Sequence, residues 1–187
     1  MPVKAYAEVF RSGDVRGLYP AQIDEEFAFL FGQSFVEHFG LSGRIATGRD
    51  GRKSSEGLQQ ALNAGLQSAC INVSDLGLCA TELTYYASMQ AEFDASIMVT
   101  GSHNPVNCNG FKCVLSDGWT VSFENGLAEV LGIMQRLKSR YSKNMDPGAW
   151  NQRGSYQNVS LVPQYTAFLS DLFSLDQSDF GCIAVNG

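Results

Sequence analysis

The 187-residue sequence has no apolar run that reaches the ~18 residues of a membrane-spanning helix, and no apolar secretory core follows its first residues. It is also poor in basic residues, because 13 lysines and arginines stand against 19 aspartates and glutamates, a formal net charge of −6. A chain of that sign gains little from the release of nucleic-acid counterions. We therefore expect neither a membrane nor a nucleic acid among its partners.

Residues that bind metals or form disulfides are also scarce. The sequence holds two histidines and five cysteines, an odd number with no C-x-x-C spacing. Zinc sites and disulfide frameworks need such spacings, so we expect reduced thiols in a cytoplasmic protein. An apolar content of 44% and a charged content of 17% are typical of a globular chain. The length predicts one domain, or one domain plus a fragment.

Hydrophobic periodicity predicts several helices. The clearest one has three phenylalanines at helical spacing: Phe27, Phe31 and Phe35. It begins with acidic residues and is expected to stop at Gly40. Ser54 and Ser55 are expected to cap the next helix. Apolar stripes place that helix at residues 58–69 and two others at residues 127–137 and 165–173, and a further helix is expected from Thr81 to about Glu92.

Short apolar runs between these helices predict strands at residues 44–47, 71–76 and 95–100. Residues 111–115 and 119–123 flank the turn-forming Ser116-Asp117-Gly118, which predicts a hairpin. Alternating helices and strands are typical of an α/β layer structure, and a hairpin makes the sheet mixed rather than purely parallel. The predicted fold is therefore α/β, a mixed β-sheet with helices packed on its faces.

The composition changes at Tyr141. Residues 141–160 are rich in Asn, Gln, Ser and Gly and show little periodicity, which predicts a linker. We divide the chain into a domain at residues 1–145 and, at residues 146–187, a linker with the first elements of a second domain. A strand predicted at residues 182–185 almost reaches the last residue, so we expect the chain to be a fragment.

The segment V-T-G-S-H-N-P, residues 99–105, ends the predicted strand at residues 95–100. The ends of such strands are where open α/β sheets place their ligands. Gly101 is expected to adopt backbone angles closed to other residues, which lets the loop turn sharply and present Ser102. His103 is a candidate proton shuttle beside the hydroxyl, and Lys112 is a candidate phosphate-binding cation.

From the residues alone, two interpretations of Ser102 stay open. It is a nucleophile or phosphoryl carrier that needs cations and N–H donors around it, or it occupies a plain turn. Two other loops join arginine to aspartate and glycine, at residues 10–17 and 48–52. Such loops bind phosphate, or the arginine pairs internally with the aspartate. The internal pair is favoured for the second loop, which contains Arg49, Asp50 and Arg52.

Five motifs, FRSGDVRG, GRDGRKSS, DLGLCATE, VTGSHNP and NGFK, together resemble the α-D-phosphohexomutase family, most closely its phosphomannomutase/phosphoglucomutase branch. They occur in the family's order and spacing over residues 9–123, with a weaker continuation to the end. The resemblance implies four domains, of which this chain matches the first and the start of the second. It also implies interconversion of hexose 1-phosphate and hexose 6-phosphate, with Mg²⁺ as cofactor and hexose 1,6-bisphosphate as intermediate and activator.

The resemblance also implies a role for each matching residue. Ser102 is the phosphoserine, which passes its phosphoryl group to the hexose phosphate substrate and ligates Mg²⁺ through that group. His103 and Asn104 shape the loop, and we assign His103 to catalysis and Asn104 to substrate binding. Lys112 and Arg16 are the cations around the transferring phosphate, and we expect both in catalysis and in substrate binding.

The sequence departs from the family pattern at two positions and lacks some of its motifs. Gly13 stands where this branch often has a tyrosine, which weakens the expected substrate contact of Arg16, and Cys108 stands where aromatic or acidic residues are common. The family's D-x-D-x-D metal motif and its sugar-binding loop are absent from the 187 residues, so we expect this chain alone to be inactive. Without a second domain, the last predicted helix and strand are expected to pack on a second copy of the chain.

Three alternatives were weighed against this interpretation. Phosphoglucosamine mutases usually have A-S-H-N-P and N-G-I-K, unlike this chain. A non-catalytic anion-binding domain with the same fold would keep Ser102 without depending on it. A serine hydrolase needs a histidine–acid relay and a G-x-S-x-G elbow; the sequence lacks the elbow, and the adjacent His103 is badly placed for a relay.

Overall fold

One six-stranded sheet organises the fold in the computed structural model of the protein, which describes residues 6–140 and 153–173. Its strands are β1 (Val15–Leu18), β2 (Arg44–Arg49), β3 (Asn72–Leu78), β4 (Ala95–Val99), β5 (Cys108–Leu115) and β6 (Tyr156–Asn158). Their order across the sheet is β1-β5-β4-β2-β3-β6. Strands β4, β2, β3 and β6 are parallel neighbours, whereas β5 runs antiparallel to both β4 and β1. The sheet is mixed, as predicted, and β5 is the strand that makes it so.

Helices cover both faces of this sheet. They are α1 (Glu25–Phe39), α2 (Ser55–Ser68), α3 (Thr81–Ser88), α4 (Ala128–Arg140) and α5 (Val162–Phe173). Helix α1 packs between α2 and α4 on one face, and α3 contacts α5 on the other. The predicted fold class is confirmed. None of the helices in residues 6–140 and 153–173 is long and apolar enough to cross a membrane.

Alternation along the strands sends side chains into two cores. In β2, Ile45 joins the core under α1 and α2, and Ala46 joins the smaller core under α3. A row of phenylalanine rings fills the centre of the larger core, where the ring of Phe31 lies 4.8 Å from that of Phe111 and 6.4 Å from that of Phe27. Because Phe111 belongs to β5, this row anchors the strand that follows the serine loop.

Helix α1 begins and ends where the sequence predicts. The carboxylate of Asp24 accepts a hydrogen bond from the Phe27 N–H at 2.9 Å, which satisfies one of the free donors of the first turn. Gly40 ends the helix in the left-handed conformation with φ +62°, and its N–H donates to the Val36 carbonyl. A glycine adopts this conformation without a steric penalty, so it stops the helix cleanly.

At helix α2, the predicted serine cap is wrong. Ser54 occupies the N-cap position but its side chain makes no capping bond, and the Ser55 hydroxyl donates to Asp50 instead. The helix is held by close packing, because a Cβ at Gly65 would lie 2.2 Å from the Phe29 carbonyl oxygen of α1. Glycine at this point of the apolar stripe allows the two backbones to touch.

The predicted hairpin after β5 is present, but its second arm is short. The Leu115 N–H donates to the Trp119 carbonyl at 2.8 Å and the Val121 N–H to the Cys113 carbonyl at 2.9 Å, on either side of the bridge between Val114 and Thr120. Ser122 and Asn125 then form a capping box that turns the chain into a π-helical turn, Phe123–Leu127, which leads directly into α4. The capping bonds compete with strand pairing, so the second arm ends at Val121 and residues 122–123 leave the sheet.

Sequence periodicity does not predict β1 or β6, and it extends α3 beyond its end at Ser88. Part of the predicted linker, residues 156–158, forms β6 and pairs with β3 in the same sheet. The division into residues 1–145 and 146–187 stays a prediction. Residues 141–152 of the predicted linker and the strand predicted at residues 182–185 lie outside the described residues.

Helix α5 shows a largely exposed apolar stripe. The rings of Tyr165 and Phe168 lie 5.3 and 5.4 Å from that of Tyr86 on α3. Farther along the helix, Leu172 and Phe173 are exposed. Packing of this stripe on a second copy of the chain stays a prediction.

Candidate active site

Three segments meet at one edge of the sheet. Residues 100–107 connect β4 to β5 and carry Ser102, the loop after β2 carries Asp50, and β1 contributes Arg16. Because β2 and β4 are parallel neighbours, their carboxyl ends bring the first two loops together. The Thr100 hydroxyl donates to an Asp50 carboxylate oxygen at 2.8 Å. We call residues 100–107 the serine loop.

Ser102 has an unusual backbone conformation and a free side chain. Its φ is +51°, in the left-handed region that residues other than glycine seldom adopt. Its N–H donates to the Thr100 hydroxyl at 2.8 Å, and its side chain is exposed. Within residues 6–140 and 153–173, no group hydrogen-bonds to the Ser102 hydroxyl. A strained residue persists only where its surroundings hold it, and here that conformation leaves the Ser102 side chain exposed to the solvent.

The Arg52 side chain binds the backbone of the serine loop and of the residue that follows it. Its guanidinium donates to the carbonyl oxygens of Ser102 at 2.9 Å, Asn104 at 2.7 Å, Pro105 at 2.5 Å and Cys108 at 3.1 Å. These oxygens belong to a segment at least 50 residues away along the chain. The sequence places Arg52 only in a loop that binds phosphate or pairs internally with Asp50. It does not predict that Arg52 contacts the serine loop.

Asp50 supports the same loop through its carboxylate. The internal pair with Arg52 is present, at 3.1 Å, and the carboxylate also accepts hydrogen bonds from Ser55, Thr100 and the Gly101 N–H. Burial alone would raise the pKa of Asp50, but the hydrogen bonds outweigh burial and hold that pKa below its ordinary value. Asp50 therefore stays ionised and joins the loops after β2 and β4.

The low pKa of Asp50 makes the stability of the domain depend on pH. The ionised form stabilises the fold fully above the ordinary pKa of 3.8, and this contribution is lost as the pH falls through the lower folded-state pKa. We expect Asp50→Asn to lower the free energy of unfolding at neutral pH, with a deficit that shrinks on acidification below 3.8. Urea unfolding at a series of pH values measures this deficit in the free energy of unfolding. The control is Glu92→Gln at an exposed carboxylate, for which we expect no deficit that depends on pH. If Asp50→Asn lowers the free energy of unfolding by the same amount at neutral and at acidic pH, this explanation is contradicted.

The need for glycine at position 101 has a different cause from the one predicted. Gly101 is not in the left-handed region; its neighbour Ser102 is. A Cβ at Gly101 would instead lie 2.2 Å from the central carbon of the Arg52 guanidinium. The expectation of special backbone angles at Gly101 is therefore wrong, and close contact with Arg52 explains the glycine.

The two predicted cations, Arg16 and Lys112, come together around one carboxylate. Arg16 is only 6% exposed and donates to the Thr100 carbonyl and to Asp14, and the Lys112 ammonium lies 3.2 Å from the same Asp14 oxygen. Two cations thus face one anion, so the cluster keeps excess positive charge beside the serine loop. The internal arginine–aspartate pair, one of the two interpretations of the loop at residues 10–17, is thus present between Arg16 and Asp14. At Gly13, which departs from the family pattern that the sequence resembles, a Cβ would meet nothing within 4 Å.

The other two predicted residues lie on the serine loop itself. Asn104 donates through its side-chain amide to the Gly101 carbonyl at 3.1 Å, a bond that closes the turn of the loop. His103 is exposed and makes no hydrogen bond within the described ranges. The structure therefore places both beside Ser102, and their parts in catalysis and substrate binding stay predictions.

Asn109 is a structural member of the site that sequence reasoning passed over. It is fully buried, and its amide donates to the hydroxyls of Ser54 and Ser55 at 2.8 and 2.9 Å. These bonds fix the start of β5 to the start of α2. The residue is visible in the sequence as the first letter of N-G-F-K, but nothing in the sequence indicates its partners.

The site does not form a magnesium site by itself. Among the residues that the structure describes, no group of three or more His, Cys, Asp and Glu side chains could hold a metal ion. The carboxylates of Asp14 and Asp50 already bind cations and hydroxyls. The Ser102 hydroxyl has no hydrogen-bond partner among the described residues, but Mg²⁺ bound there would need most of its ligands from elsewhere.

The fold and this loop define an α/β/α domain with an exposed serine on a loop whose backbone binds Arg16 and Arg52. A family model described as phosphoglucomutase/phosphomannomutase, alpha/beta/alpha domain I, matches residues 7–140. The chain therefore belongs to the phosphoglucomutase/phosphomannomutase family, through its domain I.

Individual relatives agree with the family match. A phosphomannomutase of Vibrio cholerae is 34% identical over 86% of this chain and 34% of its own length. One of Klebsiella pneumoniae is 35% identical over 83% of this chain and 95% of its own length. A phosphoglucomutase/phosphomannomutase family structure from Burkholderia thailandensis, 28% identical, has a TM-score of 0.69 over 87% of this chain and 35% of its own. The chain thus spans about a third of the length of most relatives named here.

Proposed function

We propose that this chain is the phosphoserine-bearing domain of a phosphohexomutase that interconverts hexose 1-phosphate and hexose 6-phosphate. The observation that carries the proposal is the Ser102 hydroxyl, which is exposed and has no hydrogen-bond partner among the described residues, on a loop held in a strained conformation. Arg16 and Lys112 supply positive charge beside that loop. A phosphoryl group on Ser102 would carry about −1.5 to −2 charges, which such cations offset.

The proposed reaction has two phosphoryl transfers through one serine. First, a hydroxyl oxygen of the sugar phosphate attacks the phosphorus on Ser102. The bond from phosphorus to the serine Oγ breaks, Oγ keeps the electron pair, and the proton of the sugar hydroxyl is passed on to Oγ. The bisphosphate then turns, and Oγ attacks its other phosphate in the reverse of this step. The serine ends phosphorylated again, and no oxidant or reductant is needed.

The residues of this chain supply position and charge for these transfers, which is most of what phosphoryl transfer requires. Arg16 and Lys112 balance the charge of the transferring group. The exposed His103, next to Ser102, is our candidate for moving the proton between the sugar and Oγ. Asn104 holds the turn of the loop and is our candidate for contact with the sugar phosphate.

We further propose that turnover needs residues outside these 187. The sequence contains no D-x-D pair, so the metal aspartates of the family have no counterpart in it. Mg²⁺ and hexose 1,6-bisphosphate stay our proposals for cofactor and activator. The 187-residue chain alone is expected to show no mutase turnover, and steady turnover by the isolated chain would contradict this.

The test compares substrates and a serine variant in the protein at the length its cells make. Mannose, glucose and glucosamine 1-phosphates are supplied separately with Mg²⁺ and the matching bisphosphate, and formation of the 6-phosphate is followed. We expect turnover of mannose or glucose phosphate and its loss in Ser102→Ala. Preference for glucosamine phosphate would support the phosphoglucosamine mutase alternative. Tight hexose phosphate binding that Ser102→Ala leaves unchanged, without turnover, would support a non-catalytic anion-binding domain.

A further inference from the structure

Arg52 uses every hydrogen-bond donor it has inside the site. A guanidinium carries five N–H groups, and Arg52 makes five hydrogen bonds. Its Nε donates to Asp50, and its two terminal nitrogens donate to four backbone carbonyls, those of Ser102, Asn104, Pro105 and Cys108. No N–H of Arg52 is left for a ligand. Its charge therefore acts on the loop and not by binding a substrate phosphate directly.

These bonds set the direction of the neighbouring N–H groups. In a planar trans peptide, the carbonyl and the next N–H point in opposite directions. The Ser102 carbonyl turns towards Arg52, so the N–H of His103 points away from Arg52. The Pro105 carbonyl also turns towards Arg52, so the N–H of Val106 points away from it as well. Neither N–H has an acceptor within residues 6–140 and 153–173, and both residues are exposed. The outer face of the loop thus presents N–H donors, while the carbonyl oxygens are drawn towards Arg52.

We infer that Arg52 is a positioning residue that shapes the serine loop to receive a phosphoryl group. It holds the loop carbonyls, whose negative ends would repel phosphate, away from Ser102. It also turns the His103 N–H outward beside the serine, where backbone N–H groups stabilise anionic oxygens. This inference deepens the proposed function and rests on it.

Arginine is needed because four carbonyls approach the side chain from different directions. The planar fork of a guanidinium can bond to all of them at once, whereas the lysine ammonium has three donors on a single nitrogen. The contact between Gly101 and the guanidinium adds a second requirement, because any Cβ at position 101 would displace Arg52. Arg52→Lys and Gly101→Ala therefore disturb the same contact from its two sides.

The first measurement is amide hydrogen exchange in the serine loop. The N–H groups of Gly101, Asn104 and Cys108 are hydrogen-bonded within the site, to Asp50, Gly101 and Pro105. We expect Arg52→Lys to speed their exchange by at least about tenfold, because the loop opens locally while the core stays folded. The matched control is Arg136→Lys, which changes a surface arginine paired with Glu37. We expect no change in loop exchange for that variant.

The second measurement is steady-state mutase kinetics of the protein at its natural length. We expect Arg52→Lys to lower kcat by about 10²-fold, the size of effect that a misplacement of about 1 Å produces. KM should change less than about threefold, because Arg52 has no donor free for substrate. Gly101→Ala, which keeps the arginine, should give the same pattern, so the inference stays testable if Arg52→Lys folds poorly.

Each outcome decides the inference. A raised KM with kcat retained would mean that Arg52 binds the substrate, which overturns the inference. If both variants keep the wild-type kcat and the wild-type exchange rates in the serine loop, Arg52 positions nothing, which also overturns it. If the wild-type protein at natural length shows no mutase activity, the proposed function fails instead. Loop exchange alone then decides: faster exchange in Arg52→Lys supports the positioning role, and unchanged exchange overturns it.

Discussion

Replacing Ser102 by alanine is expected to abolish mutase turnover in the protein at its natural length. The fall should be on the order of 10⁶-fold in kcat, the loss seen when a covalent nucleophile is removed from an enzyme. Without Oγ the loop loses the hydroxyl oxygen that accepts the phosphoryl group and returns it. The other residues of the site stay in place and cannot replace that bond.

The Ser102→Ala variant should fold normally, which separates loss of chemistry from loss of structure. The side chain is exposed and has no hydrogen-bond partner among the described residues, so the free energy of unfolding should change by less than about 0.5 kcal/mol. Ser42→Ala is the matched control, an exposed serine between α1 and β2, and it should keep full activity. Turnover by Ser102→Ala within about tenfold of wild type would rule out the serine as carrier.

Replacing Phe31 by alanine is expected to remove a large part of the stability of the domain. Phe31 is fully buried on α1, and its ring lies 4.8 Å from Phe111 of β5 and 6.0 Å from Phe35. Truncating a buried phenylalanine costs about 3–5 kcal/mol, because apolar contacts are lost and a cavity remains. That is a large part of the about 5–15 kcal/mol that holds a typical domain folded.

Urea unfolding of the 187-residue chain measures the Phe31 effect. The control is Trp119→Ala, a large aromatic residue that is 64% exposed, for which we expect a change within about 0.5 kcal/mol. Because Phe111 continues into the strand that follows the serine loop, Phe31→Ala should also increase amide exchange in β5. A loss below about 1 kcal/mol would mean that the phenylalanine row is not the centre of the core.

The larger elements could be predicted because each carries a pattern that needs no partner to be visible. Helix α1 has phenylalanines at helical spacing between an acidic start and Gly40, and β4 is a short run that is apolar except at Ser96. The strands β1 and β6 have four and three residues, too few for periodicity, and they are strands only because β5 and β3 supply hydrogen bonds. Whether these segments form strands therefore depends on contacts with distant parts of the chain.

The site was predictable in its residue types but not in its contacts. Ser102, Arg16 and Lys112 lie in motifs that carry a family resemblance, and the structure brings Arg16 and Lys112 to a shared carboxylate. The role of Arg52 depends on carbonyls about fifty residues farther along the chain, and no local pattern encodes that distance. The Gly101 prediction failed for the same reason, because its restricting neighbour is Arg52.

The most direct test of the central claim is an intact-mass measurement of the protein purified from its own cells, followed by fragmentation to locate any modification. We expect a population that carries one phosphoryl group, and we expect that group on Ser102. Treatment with hexose 1-phosphate should remove it as bisphosphate forms. A protein found unmodified at Ser102, and still unmodified after incubation with hexose 1,6-bisphosphate and Mg²⁺, would contradict the claim that this serine is a phosphoryl carrier.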